Sequence, residues 1–266
     1  MQNRAEPATP ATILVFDSGV GGLTVFREIV RERPDARYVY VADDAGFPYG
    51  NQPEAALIAR IVAVVGEAID RHKPDLVVIA CNTASTLALA QLRAAYDVPF
   101  VGTVPAIKPA CAQSKSKRIA VLGTQSTVSR EYTRKLIDEF AGGCNVVLVG
   151  SPKLAGFAER ELAGTPVADA DIKAEIAPCF GEGPPDHYTD TIVLACTHYP
   201  LLIDRFRAVA AWPVDWLDPA PAIARRVADL MRERPPGVNA ERPRIFFTSG
   251  KAPNPDLAGA LAAYGF

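Results

Sequence analysis

Two cysteines of this chain stand in nearly the same surroundings. Cys81 lies in "LVVIACNTAS" (76–85) and Cys196 in "TIVLACTHYP" (191–200). Each follows an apolar run and precedes a short polar turn. The chain has five cysteines, at 81, 111, 144, 179 and 196, with no CxxC spacing. A lone cysteine after an apolar strand is by default an inert buried thiol, and that is the reading for Cys111, Cys144 and Cys179. A matched pair points further, to a disulfide, a metal site or two catalytic thiols. An odd, widely spaced set is no disulfide framework and suits a reducing cytoplasm. A metal site would need Cys81, Cys196, His198 and a fourth ligand. With three histidines in the chain and no second cluster, metal is the minor alternative. Acid–base work is the remaining option. Thiols ionise nearer to neutrality than most side chains. One thiolate can accept a proton while a second thiol donates one. Placed on opposite faces of a carbon, such a pair inverts it.

Short polar residues surround each cysteine: Asn82, Thr83 and Ser85 on one side, Thr197 and His198 on the other. Two further segments end apolar runs in the same way. "DSGVGGLT" supplies Asp17 and Ser18, and "GTQSTV" supplies Thr124 and Thr127. Ser and Thr at such places often only cap helices, and Thr86 and Ser129 are read so. Asn82, Thr83 and Thr197, immediately beside the matched cysteines, are read as substrate contacts. "DSGVGGLT" also approaches the dinucleotide fingerprint G-x-G-x-x-G. Its third glycine is missing, and Asp17 would repel a pyrophosphate. A tight glycine turn into a helix is the plainer reading. The turn "FPYG" (47–50) has ordinary turn residues, yet it follows a strand end. Pro48, Tyr49 and Gly50 can therefore close over a ligand.

These segments need elements to hold them. Strand-like runs such as "TILVFD" (12–17), "RYVYVADD" (37–44), "RIAVLG" (118–123) and "NVVLVG" (145–150) alternate with helix-like stretches. "TQSTVSREYTRKLIDEF" reads as one helix with Val128, Tyr132, Leu136 and Phe140 on a single face. Such alternation predicts parallel sheets covered by helices on both faces. The order of segments repeats loosely after about 110 residues, as expected for two similar domains. In open α/β sheets, ligands bind beyond the carboxyl ends of the strands. Two such domains, related by a pseudo-two-fold axis, would bring all four segments to one inter-domain cleft.

Bulk properties agree. Of 266 residues, 49% are apolar and 22% charged, enough for a sizeable core. The net charge of −2 gives no footprint for nucleic acid and no polybasic membrane patch. The longest apolar runs are strand-length, well short of a membrane span. "MQNRAEPATPAT" has no signal core, and residues 1–11 read as a frayed tail.

Taken together, "VFDSGVGGLTV", "PYG", "ACNTAS", "GTQSTV", "ACTHYPLL" and "FFTSG" resemble the glutamate racemase family, within the wider cofactor-independent aspartate/glutamate racemase superfamily. The resemblance spans most of the chain. Both cysteines are present, unlike the decarboxylase branch, and "CTHYP" points toward glutamate. The resemblance implies two α/β domains with the site between them. The first domain would comprise 1–104 plus 217–266 and the second 105–216. It implies that Cys81 takes the proton from D-glutamate and Cys196 from L-glutamate. Asp17 would assist Cys81, and His198 would assist Cys196. Asp17, Ser18, Pro48, Tyr49, Gly50, Asn82, Thr83, Thr124, Thr127, Thr197 and His198 would hold substrate. Glu159 would support them, although by its pattern alone it reads equally as a surface-helix carboxylate. No cofactor, neither pyridoxal phosphate nor a metal, is implied. The implied role is cytoplasmic supply of D-glutamate for peptidoglycan, and a homodimer is left open. Asp44, Ala195 and Ser151 depart from the usual family residues. Asp44 bears on loop closure or an assembly contact. The alternatives are an aspartate or other acidic amino-acid racemase, a non-catalytic small-ligand binding protein on the same fold, and, last, a nucleotide-binding protein.

Overall fold

The computed structural model describes residues 9–181, 188–234 and 241–266. The chain runs β1 (Thr12–Asp17), α1 (Leu23–Glu32), β2 (Arg37–Ala42), α2 (Glu54–His72), β3 (Leu76–Ile79), α3 (Asn82–Ala95) and β4 (Phe100–Gly102). Next come α4 (Ile107–Gln113), β5 (Arg118–Gly123), α5 (Gln125–Ser129), α6 (Glu131–Phe140), β6 (Asn145–Gly150), α7 (Leu154–Leu162) and α8 (Asp169–Ile176). It ends with β7 (Thr191–Ala195), α9 (Ile203–Val209), β8 (Asp215–Leu217), α10 (Ala220–Leu230), β9 (Arg244–Phe247) and α11 (Pro255–Ala263).

The strands form two parallel sheets, in the orders β4-β3-β1-β2-β9 and β6-β5-β7-β8. Strand for strand, β1–β4 and β5–β8 take the same order, and β9 is an addition to the first sheet. The internal repeat in the sequence is thus a repeat of topology.

The continuous apolar runs follow from this burial on both faces. In β1, Ile13 and Val15 meet Phe26 and Ile29 of α1 on one face. Leu14 and Phe16 meet Leu57 and Ile61 of α2 on the other. All four β1 residues are fully buried, each contributing roughly 1.5–3 kcal/mol. In the second sheet, Leu122 and Leu194 pack toward Phe206, while Val121 and Val193 pack toward Ile107. Helix α2 buries Leu57, Ile61, Val65 and Ala68 at helical spacing. It stops at Lys73, which takes a left-handed φ of 43° before Pro74. Among the described residues no helix is long and apolar enough to cross a membrane.

Three sequence expectations change. The strand expected over 37–44 ends at Ala42, because Asp43 turns to receive side-chain donors. The helix expected over 124–140 breaks at Arg130, which is extended (φ −72°, ψ 145°), giving α5 and α6. Tyr132 lies 41% exposed rather than on a buried face. Of the tail expected at 1–11, residues 1–8 lie outside the described residues. Ala11 is buried, and its carbonyl accepts from the Arg37 N–H.

Candidate active site

The carboxyl ends of β1, β3, β5 and β7 converge. The side chains there enclose a cavity of only about 20 Å³, room for about one water molecule. Its walls include Ser18, Pro48, Tyr49, Gly50, Cys81, Asn82, Thr83, Thr124, Cys196, Thr197 and His198. Phe47 and Ala155, which sequence reasoning missed, complete them. Nothing about an alanine or a turn phenylalanine marks it as cavity-lining until the two sheets face each other.

Cys81 sits two residues past β3 and caps α3, its Sγ accepting from the Ala84 N–H at 3.4 Å. The Ser18 hydroxyl lies 3.6 Å away. Burial pushes the Cys81 thiol up to about 12, and the Asp17 carboxylate adds to the shift. The capping N–H and Ser18 oppose this without prevailing. Cys81 is therefore a neutral thiol at pH 7 in this arrangement.

Neither Thr86 nor Ser129 serves as an N-cap. The helix begins one residue after the cysteine, so Thr86 falls inside it, donating to the Asn82 carbonyl at 3.0 Å. Ser129 ends α5, and Thr124 caps that helix by accepting from the Thr127 N–H.

Cys196 sits one residue past β7. His198 Nδ1 lies 3.8 Å from its Sγ, and Nε2 lies 2.8 Å from Oε1 of Glu159. Burial disfavours a charged imidazole, but the bonds to Cys196 and Glu159 outweigh it and hold the His198 pKa well above its ordinary value. The charged ring donates from both nitrogens. The same Glu159 oxygen accepts the Val20 N–H at 2.8 Å, so α7 is tied to the glycine turn after β1. Glu159 is no free surface carboxylate.

The turn "SGVGG" owes Gly19 and Gly21 to this pair. A Cβ on Gly21 would stand 2.5 Å from His198 Nδ1, and one on Gly19 would stand 2.2 Å from Glu159 Oε1. The glycines permit close approach by an imidazole and a carboxylate of the other sheet, not by a pyrophosphate.

Asp17 lies beneath the lining rather than in it. Its Oδ1 accepts from Thr197 at 3.0 Å and its Oδ2 from the Gly19 N–H at 3.0 Å. Burial raises its pKa, against the charge of His198 and these hydrogen bonds. Thr127 is also behind the wall. Its hydroxyl meets those of Thr83 (3.3 Å) and Thr124 (2.9 Å), and Thr83 meets Thr124 at 3.1 Å. These hydroxyls join the start of α3 to the start of α5. Asn82 Oδ1 is buried without a hydrogen-bond partner among the described residues, an acceptor suited to an ammonium group.

The three departures are accommodated locally. Asp44 accepts from the Ser249 N–H (2.9 Å) and hydroxyl (2.5 Å). Ser151 donates to Glu175 at 2.7 Å. Ala195 is buried against the Cys111 and Cys144 cluster. All five cysteines are free. Among the described residues no cluster of three His, Cys, Asp or Glu side chains has metal-binding geometry.

The shifted thiol predicts an alkaline signature. Cys81 keeps its proton to about 12 when folded, against an ordinary value of 9.0. Above pH 9 the unfolded chain binds fewer protons, so stability falls as pH rises from 9 toward 12. Below pH 9 the group is silent. Denaturant titrations across this range should show a flatter decline for Cys81→Ser than for the wild type. Parallel curves would refute the shift.

Residues 13–227 match the family described as Asp/Glu/Hydantoin racemase. A glutamate racemase of Brucella canis is 53% identical over 257 residues, covering 96% of this chain and 91% of that protein. One of Sinorhizobium fredii is 53% identical over 258 residues, covering 96% and 94%. The crystal structure of Escherichia coli glutamate racemase with L-glutamate and the activator UDP-MurNAc-Ala aligns with a TM-score of 0.88 at 40% identity. That alignment covers 97% of this chain and 96% of the other.

Proposed function

The chain belongs to the Asp/Glu/Hydantoin racemase family, and from that premise we propose that it interconverts L- and D-glutamate by two-base proton transfer. The observation that carries this reading is that Cys81 and Cys196, at the ends of the equivalent strands β3 and β7, line one cavity.

In the L-to-D direction, the Cys196 thiolate takes the Cα proton, and the Cys81 thiol delivers its own proton to the opposite face. The neutral Cys81 is the correct partner for that step. The protonated His198 supports negative charge on the Cys196 sulfur, and Glu159 keeps the ring in place. In the reverse direction Cys81 must first lose its proton, and Asp17, already biased toward protonation by burial, is the nearby assistant. Charge developing at Cα is offset by the substrate ammonium, which Asn82 Oδ1 can accept. The carboxylates meet the positive N-terminus of α3 and the hydroxyls of Thr83 and Thr124. A closed, dry cleft strengthens each of these interactions. Glutamate is much larger than one water, so binding widens the cavity.

The reading extends to an enzyme of the cytoplasm that supplies D-glutamate for peptidoglycan. It divides the chain into 1–104 plus 217–266 and 105–216, with a homodimer as the assembly to test by sedimentation. Glutamate and aspartate, assayed side by side in deuterated water with a chelator and no added cofactor, test the activity. Inversion with deuterium entry at Cα of glutamate is expected, with aspartate much slower. Ligand protection without exchange would point to a binding protein, and faster turnover of aspartate would reassign the substrate.

A further inference from the structure

Asp43 is a fully buried carboxylate that proton transfer does not use. It follows β2 directly, and every described polar contact of its side chain is with a donor. Arg60 donates from Nε to Oδ2 at 2.7 Å and from its terminal nitrogen to Oδ1 at 2.5 Å. Thr248, just past β9, donates to Oδ1 at 2.6 Å. The Tyr49 hydroxyl donates to Oδ2. Burial works against the charge, but these bonds prevail and hold the Asp43 pKa below the usual range.

This arrangement changes what Tyr49 can offer. Tyr49 is 2% exposed, and its hydroxyl points inward to Asp43. Tyr49 lines the cavity beside Pro48 and Gly50 while its hydroxyl is engaged by Asp43. Gly46 lies directly on the cluster, where a Cβ would stand 2.5 Å from Arg60 Nε and 2.8 Å from Asp43 Oδ2. At the far end of the loop, a Cβ on Gly50 would stand 3.2 Å from Thr124 Cβ. The loop is therefore pinned from below by Asp43 and seated against the second sheet's turn.

We propose that Asp43 is a positioning residue, fixing the Tyr49–Gly50 backbone as a carboxylate-binding wall through the Tyr49 hydroxyl, with Arg60 and Thr248 setting its own pose. The proposal rests on the racemase reading above. It assigns Tyr49 an anchoring task in place of a hydroxyl contact with substrate. A wall that recognises ground state and transition state alike acts on KM more than on kcat.

The test is steady-state racemisation of both enantiomers by Asp43→Asn, Tyr49→Phe, Thr248→Val and the Asp43→Asn/Tyr49→Phe double variant. Loss of one charge-assisted hydrogen bond corresponds to roughly a tenfold change. Tyr49→Phe and Asp43→Asn should each raise KM about tenfold with little change in kcat. The double variant should be no worse than the poorer single, because both remove one linkage. Thr248→Val, far from the cavity in sequence, should raise KM by roughly threefold. A purely structural role would lower the melting temperature and leave KM unchanged, which overturns the proposal. So would additive effects in the double variant. If Asp43→Asn fails to fold, Tyr49→Phe and Thr248→Val decide between these outcomes alone. A wild type that exchanges no Cα proton of glutamate fells the parent reading and this proposal with it. An active wild type with unaltered KM in the variants fells this proposal only.

Discussion

Replacing either Cys81 or Cys196 by serine should lower glutamate racemisation by roughly 10²–10⁴-fold, the range for loss of a positioned acid or base. A serine hydroxyl is far too weak an acid to shuttle a proton at neutral pH. Folding should survive. At position 81 the sulfur caps α3 by accepting from the Ala84 N–H, and serine is among the best N-cap residues. The two losses should also be distinguishable. In Cys81→Ser, Cys196 still removes a proton from L-glutamate, so deuterium should enter L-glutamate without inversion. In Cys196→Ser, the same should hold for D-glutamate. Near-normal inversion by either variant, with intact circular dichroism, would disprove the two-base scheme.

The second large effect is expected at a residue with no side chain. Gly21→Ala would place a Cβ 2.5 Å from Nδ1, 2.6 Å from Cγ and 2.8 Å from Cε1 of His198. The ring has nowhere to go. It is 1% exposed, bonded to Glu159, set beside Cys196, and flanked by the Phe47 ring at 5.4 Å between centroids. Overpacking of this kind costs about 1–3 kcal/mol. A ring displaced by even an ångström loses its alignment with the Cys196 sulfur, for which about 10²-fold in turnover is the usual penalty. Gly259→Ala is the control. It lies within α11, where an added Cβ meets nothing within 4 Å. That change should raise stability by roughly 0.5–1 kcal/mol and leave turnover alone. Thermal melts and racemase assays on the two variants give the comparison. Wild-type turnover in Gly21→Ala would remove the steric account of the glycine turn.

Much of this was legible in the chain because a buried parallel strand has a simple signature. Past the threonine that opens two of them, "TILVF", "LVVI" and "TIVLA" are apolar throughout, as burial on both faces requires. The polar residue that follows each must then lie at a carboxyl edge. That logic, applied twice, paired Cys81 with Cys196 and brought Ser18 and Thr124 to the same place. What stayed hidden depends on contacts between distant segments. Asp17 is bonded to Thr197, 180 residues away, and Val20 to Glu159, 139 residues away. No local pattern announces either. Thr86 was misread because cap preferences rank hydroxyls and carboxylates, whereas here a thiol takes the position. The helix break at Arg130 escaped notice because Tyr132, Leu136 and Phe140 continue a plausible helical spacing across it. Asp43 looked like the end of a strand because its four donors come from three separate segments.

The addition of β9 to the first sheet has a consequence for how the protein is made. Of the three residues that grip Asp43, Tyr49 and Arg60 leave the ribosome within seventeen residues of it, whereas Thr248 follows 205 residues later. Chains fold as they emerge, N-terminal parts first. Four strands of the first sheet can assemble early, but the loop at 47–50 lacks this tie until Thr248 has been added. On the proposed role of Asp43, a finished wall opposite the two thiols is therefore a late event of biosynthesis, because a chain that stops short of Thr248 holds both cysteines without that tie.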